Sequence, residues 1–339
     1  MIDVPAVTGR RRLAPVVAVA LSAVALAALA LCLGQPVIAP GRLPAVLSGE
    51  ASALERVMVV ELRAPRLLLA LFAGAVLGAA GLLLQESLRN PLAVPELLGV
   101  SSGAAAAVAL VVVFGISVPG APLVPALAGA AVGGALTIMA VRRAVGPAAV
   151  LLIGAAISAA LQAVLLTGVS LSDSREQGVL VRYLLGSLTG TTWSTVVTTV
   201  PGMLLVLPLT VLALPALGVL RLGDDTATAL GLSAGAARVA VLAVGCLLVA
   251  TVVGPCGPIA WVGFLAPQLA RSVRPGAEAR SWLVWSTVLG ALLVTAADLL
   301  ARTLLYPIEL PVGGLTALIA VVGGVALAAR RRRFKDALA

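Results

Sequence analysis

Pro65-Arg-Leu-Leu-Leu-Ala-Leu-Phe-Ala-Gly-Ala-Val-Leu-Gly-Ala-Ala-Gly-Leu-Leu-Leu-Gln85 carries a single charge, at its second residue, in an otherwise apolar stretch. A helix needs about 20 such residues to cross roughly 30 Å of hydrocarbon. The stretch reads as a membrane span, and Pro65 suits its first turn, where a backbone N–H is not needed. Gly74 and Gly78 stand four apart within it, a spacing that lets two helix backbones approach closely in lipid. A barrel strand would alternate apolar and polar residues over about ten positions, and this stretch does not. Unpaired backbone groups are too costly in lipid for an open structure, so the span is helical.

Working outward, comparable runs occupy about residues 13–33, 97–116, 122–141, 148–169, 194–220, 239–256, 258–271, 282–302 and 312–329. With 65–85 they make about ten spans, the eighth being the shortest. Arg10, Arg11 and Arg12 ahead of the first run have the layout of a secretory signal. Leu29-Ala-Leu-Cys32 resembles a lipoprotein cleavage box, but Leu31 is too bulky beside its cysteine, so the run is read as an uncleaved first span. An even count puts both termini on one side. With the termini cytoplasmic, 16 basic residues fall inside and 7 outside, the direction the positive-inside rule demands. The expected fold is therefore all-α: one polytopic membrane domain over 1–339, both termini cytoplasmic. It would have an N-terminal tail at 1–12, a cytoplasmic loop at 221–238 and a basic tail at 330–339. Gly129 and Gly133 repeat the close-packing spacing.

Composition excludes the rivals. The 339 residues are 61% hydrophobic and 11% charged, with a mean hydropathy of +1.14, against about 25% charged in a soluble domain. The net charge of +9 does not point to nucleic acid, because the basic residues stand singly between apolar runs without interleaved aromatics. Cys32, Cys246 and Cys256 have neither metal nor redox spacing and read as small buried hydrophobes. Histidine is absent, which removes the commonest general base and zinc ligand. No catalytic residue, metal site or cofactor is expected.

With so few charges, those beside spans carry information. Asp298 lies toward the end of the ninth run with Arg302 four residues on, neighbours on one helix face. Such a pair marks either packing or a transport pathway. A proton relay would want a chain of carboxylates, and only Asp298 reads as deep. In the loop from Arg221 to Arg238, Asp224 or Asp225 can cap a short helix, Gly231 can end it and Ser233 can cap a second. Two short helices on the cytoplasmic face would form a docking knob; an ordinary capped turn is the plainer alternative. On the opposite face Arg63 and Arg66 are either snorkelling anchors or a cationic patch for carboxylates of an extracytoplasmic partner.

Several motifs, in order, resemble the FecCD-type permeases, the membrane subunits of ABC importers for ferric siderophores, haem and cobalamin. They are Arg63-Ala-Pro-Arg66, Gly81-Leu-Leu-Leu-Gln85, Arg89-Asn-Pro-Leu-Ala93 and Leu98-Gly-Val-Ser-Ser-Gly103, then Leu185-Gly-Ser-Leu188 with Trp193, and Leu222-Gly-Asp-Asp-Thr-Ala227 with Ala229-Leu-Gly-Leu232. Gly257-Pro-Ile-Ala-Trp-Val-Gly-Phe-Leu-Ala-Pro267, Ala297-Asp-Leu-Leu-Ala-Arg302 and Glu309-Leu-Pro-Val-Gly313 complete the set. The resemblance covers nearly the whole chain and implies a ten-span type II importer permease of the bacterial cell membrane. It implies that Asp224, Asp225, Thr226, Ala227, Leu230 and Gly231 form the loop that engages a separate ATPase. It likewise implies that Arg63, Arg66 and Arg302 meet glutamates of an extracytoplasmic substrate-binding protein. Span five lines the path in relatives, and here it offers Ser158 and Gln162, one turn apart.

Two departures stand out. Trp261-Val-Gly-Phe264 and Pro267-Gln268 replace the family's usual Phe-Val-Gly-Leu and Pro-His, and Ile319-Ala-Val-Val-Gly-Gly-Val325 replaces a Gly-Ala-Pro-Phe-Phe type of stretch. They suit a member of a two-permease pair, so the second permease is either a copy or a sister chain. The expected partners are ATPase subunits, a binding protein, a second permease and membrane lipid. No Walker motif occurs in the chain, so any ATP hydrolysis belongs to a partner. A cobalamin or haem cargo is the first alternative and an ion-coupled carrier the second.

Overall fold

The computed structural model describes residues 10–119, 122–142 and 147–336. Residues 1–9 of the expected N-terminal tail, Arg143, and residues 337–339 of the basic tail lie outside it. The described residues are helical with no strand. The order is α1 (Arg10–Cys32), α2 (Leu43–Ser48), α3 (Ala53–Arg56), α4 (Ala64–Ser87), α5 (Val100–Val113), α6 (Leu123–Val141), α7 (Pro147–Leu171) and α8 (Ser174–Leu185). It continues with α9 (Trp193–Val206), α10 (Leu209–Leu220), α11 (Asp224–Ala229), α12 (Ala234–Cys256), α13 (Val262–Val273), α14 (Ala279–Thr303) and α15 (Val312–Asp336).

Seven elements are long and apolar enough to cross a membrane: Ala14–Cys32, Ala53–Ser87, Leu123–Val141, Ala148–Leu171, Trp193–Leu220, Ala234–Cys256 and Ala279–Thr303. Of the other three expected spans, two fall on shorter apolar helices, α5 and the Val312–Leu327 part of α15, and the third falls on the 12-residue α13. The run at 97–116 is broken: a tight turn at Pro95–Leu98 leads to Gly99 at φ +70°, and α5 starts only at Val100. α5 therefore rises about 21 Å and α13 about 18 Å, short of a bilayer. Such breaks are tolerated at membrane depth only inside protein, and most of α5 is buried. The run at 194–220 is interrupted at Leu207-Pro208, between α9 and α10.

Pro65 shapes the entry to α4. Its ring would collide with the carbonyl four residues back in a regular helix, and the turn from Val57 to Arg63 widens to a π-helix. This widening joins α3 to α4 in one continuous element, Ala53–Ser87.

α4 is the spine. A Cβ on Gly74 would stand 2.2 Å from Gly290 O, on Gly78 2.2 Å from Ser286 O, and on Gly81 2.0 Å from Gly263 O. The backbones of α14 and α13 thus lie directly against α4. Gly103 meets Gly129 O, and Gly133 meets Gly99 O, in the same manner between α5 and α6. The end of α1, the start of α4 and the end of α14 gather at one end of the bundle, through Arg63 and Arg302 bonded to carbonyls of residues 30–32. The start of α1 and the end of α15 then lie at the other end, as the even count requires.

Replacing Gly81 by Ala should lower the thermal midpoint of the detergent-solubilised protein, with an overpacking cost of about 1–3 kcal/mol. Gly218→Ala, where a Cβ meets nothing within 4 Å, should leave the midpoint unchanged or higher. Equal midpoints for the two variants would refute the close-contact account.

Candidate functional site

At the cytoplasmic end, α11 is one short helix. Gly223, at φ +107°, is its N-cap, and neither Asp224 nor Asp225 caps it through a side-chain bond. Both acids sit in the first turn, where the helix dipole favours them. Leu232 N donates to Ala227 O and Gly231 N to Thr228 O, with Gly231 at φ +82°, the Schellman arrangement that closes a helix. The expected second surface helix is absent. Ser233 instead precedes α12, which runs unbroken to Cys256, because apolar α12 continues upward through Val239 without a breaker. Ala227 is the buried foot of the loop, while Asp225, Thr226, Leu230 and Gly231 face outward.

Asp224 ties the loop to the bundle. Its Oδ1 accepts from Arg238 Nη2 at 2.7 Å and lies 3.5 Å from Arg89 Nη2. Arg238 Nε also donates to Ser87 O at the end of α4. Next to Ser87, buried Glu86 pairs with Arg221 at 2.8 Å and Arg271 at 2.7 Å. Arg271 Nη1 donates to Gln85 Oε1, whose amide donates to Gly263 O. Arg221 and Arg271 lie over the Trp282 ring at 4.6 and 5.5 Å. These groups border a cavity of about 310 Å³. Sequence reasoning passed over Glu86 and Arg271, because their partners stand 185 residues apart in the chain and no local spacing betrays them.

At the opposite end the three singled-out arginines come together around one cavity of about 160 Å³, together with Glu309 and Tyr306. α1 has no basic residue in its last turn, and its final carbonyls are capped from elsewhere. Arg63 Nη1 donates to Leu31 O and Cys32 O at 2.8 and 2.9 Å, its Nη2 donates to Pro36 O, and Arg302 donates to Ala30 O. Such carbonyls are the ones a helix leaves unpaired. Arg66 faces two carboxylates: its Nε donates to Asp298 at 2.9 Å, and its Nη1 to Glu309 at 2.9 Å. The Asp298–Arg302 pair read from spacing is long, at 4.0 Å, so the chief partner of Asp298 is Arg66. Arg63 and Arg66 are only 6% and 9% exposed, and both line this cavity. Glu309 also accepts from Thr189 Oγ1 at 2.7 Å. Burial pushes its carboxyl up, but the Thr189 hydroxyl and the Arg66 charge together hold it below the ordinary glutamate value.

Between the two ends, Ser158 is already engaged: its hydroxyl donates to Glu96 O and accepts from Gly99 N, both at 3.0 Å. It fastens α7 to the turn before α5. Gln162, half-buried one turn on, makes no side-chain hydrogen bond among the described residues. Glu96 Oε1 accepts from Trp261 N at the head of α13. Gln268 donates to Pro91 O at 3.0 Å. Among the described residues there is no cluster of three or more metal-ligating side chains.

A polytopic helical bundle with a short exposed cytoplasmic helix, an apolar wall and a cationic outer cavity has the build of a transport permease. The profile of the FecCD transport family matches residues 21–329, and the chain belongs to that family. It is an ABC-transporter permease, a multi-pass protein of the bacterial cell membrane. The chain is 38% identical to the Fe(3+) dicitrate transport system permease protein FecD of Escherichia coli (strain K12), over 81% of this chain and 86% of that protein. It is 36% identical to the hemin transport system permease protein HmuU of Yersinia pestis, over 77% and 79% of the two chains. Among solved structures, the inward-facing form of an ABC transporter assigned to the metal-chelate type matches with a TM-score of 0.80 at 28% identity, covering 93% of this chain and 98% of that one.

Removing one member of the buried Arg66–Asp298 pair should destabilise the protein more than removing both. Asp298→Leu alone leaves a buried guanidinium short of charge and should cost about 3–5 kcal/mol. The double change Arg66→Met with Asp298→Leu should recover a large part of that loss in thermal unfolding. A double variant as unstable as the sum of its singles would argue against the pairing.

Proposed function

We propose that this chain is one of two membrane subunits of a binding-protein-dependent importer that carries ferric siderophores inward on ATP hydrolysed by a partner. The observation that carries the reading is the α11 loop. It presents Leu230, 63% exposed, with Asp225 and Thr226, while Asp224 binds its base to α4 and α12 through Arg238. A ridge held so firmly from behind suits the transfer of motion from a cytoplasmic ATPase groove to the spans. The outer cavity of Arg63, Arg66 and Arg302 suits carboxylates of a delivery protein. A second permease, copy or sister, is supported by α7: only 17% of its most apolar window is buried within this chain, leaving Leu152 and Leu166 exposed on a wall that needs an opposite side. The iron-citrate relative supports an iron chelate as cargo; the hemin relative keeps haem as the alternative.

The reading is tested with the permease reconstituted with its ATPase and binding protein, following labelled ferric siderophore uptake. Leu230→Asp should reduce ATP-driven uptake by at least tenfold while the permease stays folded. Binding-protein titrations with a ferric siderophore, haem and cobalamin settle the cargo. Full uptake into vesicles lacking any ATPase would sink the proposal.

A further inference from the structure

Arg66 divides its guanidinium between two carboxylates of unequal depth. Asp298 holds the Nε edge and its side chain is 5% exposed; Glu309 holds Nη1 and is 36% exposed. The inner bond belongs to the packing of α4 on α14. The outer bond borders the cavity shared with Arg63 and Arg302, where the charges of Arg63, Arg66, Arg302, Asp298 and Glu309 sum to +1.

Glu309 does a second job. Its Oε2 accepts from Thr189 Oγ1 at 2.7 Å, and Ser187 Oγ in turn receives the Thr189 N–H at 3.1 Å. Ser187 N donates to Cys256 O at 2.8 Å. Directly below, the backbones are in close contact: a Cβ on Gly186 would stand 2.2 Å from Pro258 O, and one on Gly313 2.0 Å from Leu185 O. The end of α8, the turn between α12 and α13, and the head of α15 therefore meet under the Glu309–Thr189 bond.

We propose that Glu309 is an internal stand-in for the partner's carboxylate. It occupies Arg66 until a carboxylate of the docking protein takes its place, and the exchange releases Thr189 and the junction beneath it. This rests on the docking reading given above. Exchanging one carboxylate for another keeps the charge of the cavity constant, so no buried cation is left unpaired at any stage. What changes is the tether: the internal acid is covalently part of the head of α15, and the incoming one is not. Arrival of the delivery protein is thereby converted into loosening of the three segments that bound the path.

The experiment uses the assembled permease–ATPase complex in nanodiscs, with its substrate-binding protein as the probe. Glu309→Gln removes the competing charge and should tighten binding about three- to tenfold, the range of an exposed ion pair of roughly 1 kcal/mol. It should also raise ATPase activity in the absence of the binding protein. Thr189→Val breaks only the link to the loop and should raise that basal activity while leaving affinity unchanged. Glu309→Asp should restore affinity toward the parent value. Unchanged or weaker binding by a folded Glu309→Gln complex overturns the exchange. In that case an Arg302→Gln complex that also binds normally removes the docking reading with it, whereas one that binds weakly leaves docking standing and rejects only the exchange.

Discussion

Backbone contact along α4 is the constraint from which the rest of the bundle follows. Lipid gives apolar helices no hydrophobic reason to leave it for each other, so association rests on close packing and on polar bonds. Gly74, Gly78 and Gly81 remove the side chains that would hold α14 and α13 away. Once the backbones touch, further bonds become possible: Ser286 Oγ donates to Gly78 O at 2.7 Å, and Gln85 Nε2 to Gly263 O at 3.1 Å. The Ser286 bond, buried inside the bundle, has no water to compete with. Both bonds form because the glycines let the backbones approach.

α4 also carries the charges of both ends and none between. Arg66 lies in its first turn and Glu86 in its last, about 30 Å apart along the axis at 1.5 Å per residue. Each is matched by residues from remote parts of the chain: Asp298 and Glu309 at one end, Arg221 and Arg271 at the other. A buried charge without its partner costs several kcal/mol, so neither end is complete until α10, α13 and α14 are in place. The same helix therefore sets the distance between the α11 loop and the outer cavity. A 24-residue α4, buried along most of its length, is a stiff connection between them.

The membrane class, the helical fold and the order of the spans were legible because hydrocarbon thickness imposes a length on every crossing. Gly74 and Gly78 were legible for a similar reason, as a periodic pattern on one helix. The interruptions were less so. Nothing in the apolar run at 97–116 marks Gly99 as a break except a glycine among many, and its left-handed backbone emerges only where Gly133 O and Thr137 crowd it. The α11 loop was visible through Asp224, Gly231 and Ser233, yet local capping rules assigned the side chains wrongly. Asp224 is drawn away by Arg238, fourteen residues on, and α12 is apolar enough to begin at once. The arginines were found by position, but their present acceptors were not. Arg63 bonds to residues 27 to 32 positions earlier, and Arg66 to acids more than 230 positions later. Glu309, Glu86 and Arg271 share that difficulty, since only the folded bundle brings their partners near.

The two broken segments at membrane depth close on each other. The turn at Pro95–Leu98 and the turn from Gly257 to Trp261 both leave helix ends exposed, a condition lipid would punish. Glu96 Oε1 accepts the Trp261 N–H at 2.7 Å, which places a carboxylate at the positive end of α13. A Cβ on Gly263 would stand 2.5 Å from the Pro95 ring, so the first turn also lies directly against the start of α13. Ser158 binds the first turn to α7, and Gln268 binds α13 to Pro91. Any displacement of α13 must then carry the Pro95–Leu98 turn and the adjoining face of α7 with it, or else break the bonds that join them. The short helices are for that reason one connected unit, although the sequence spreads them over nearly two hundred residues.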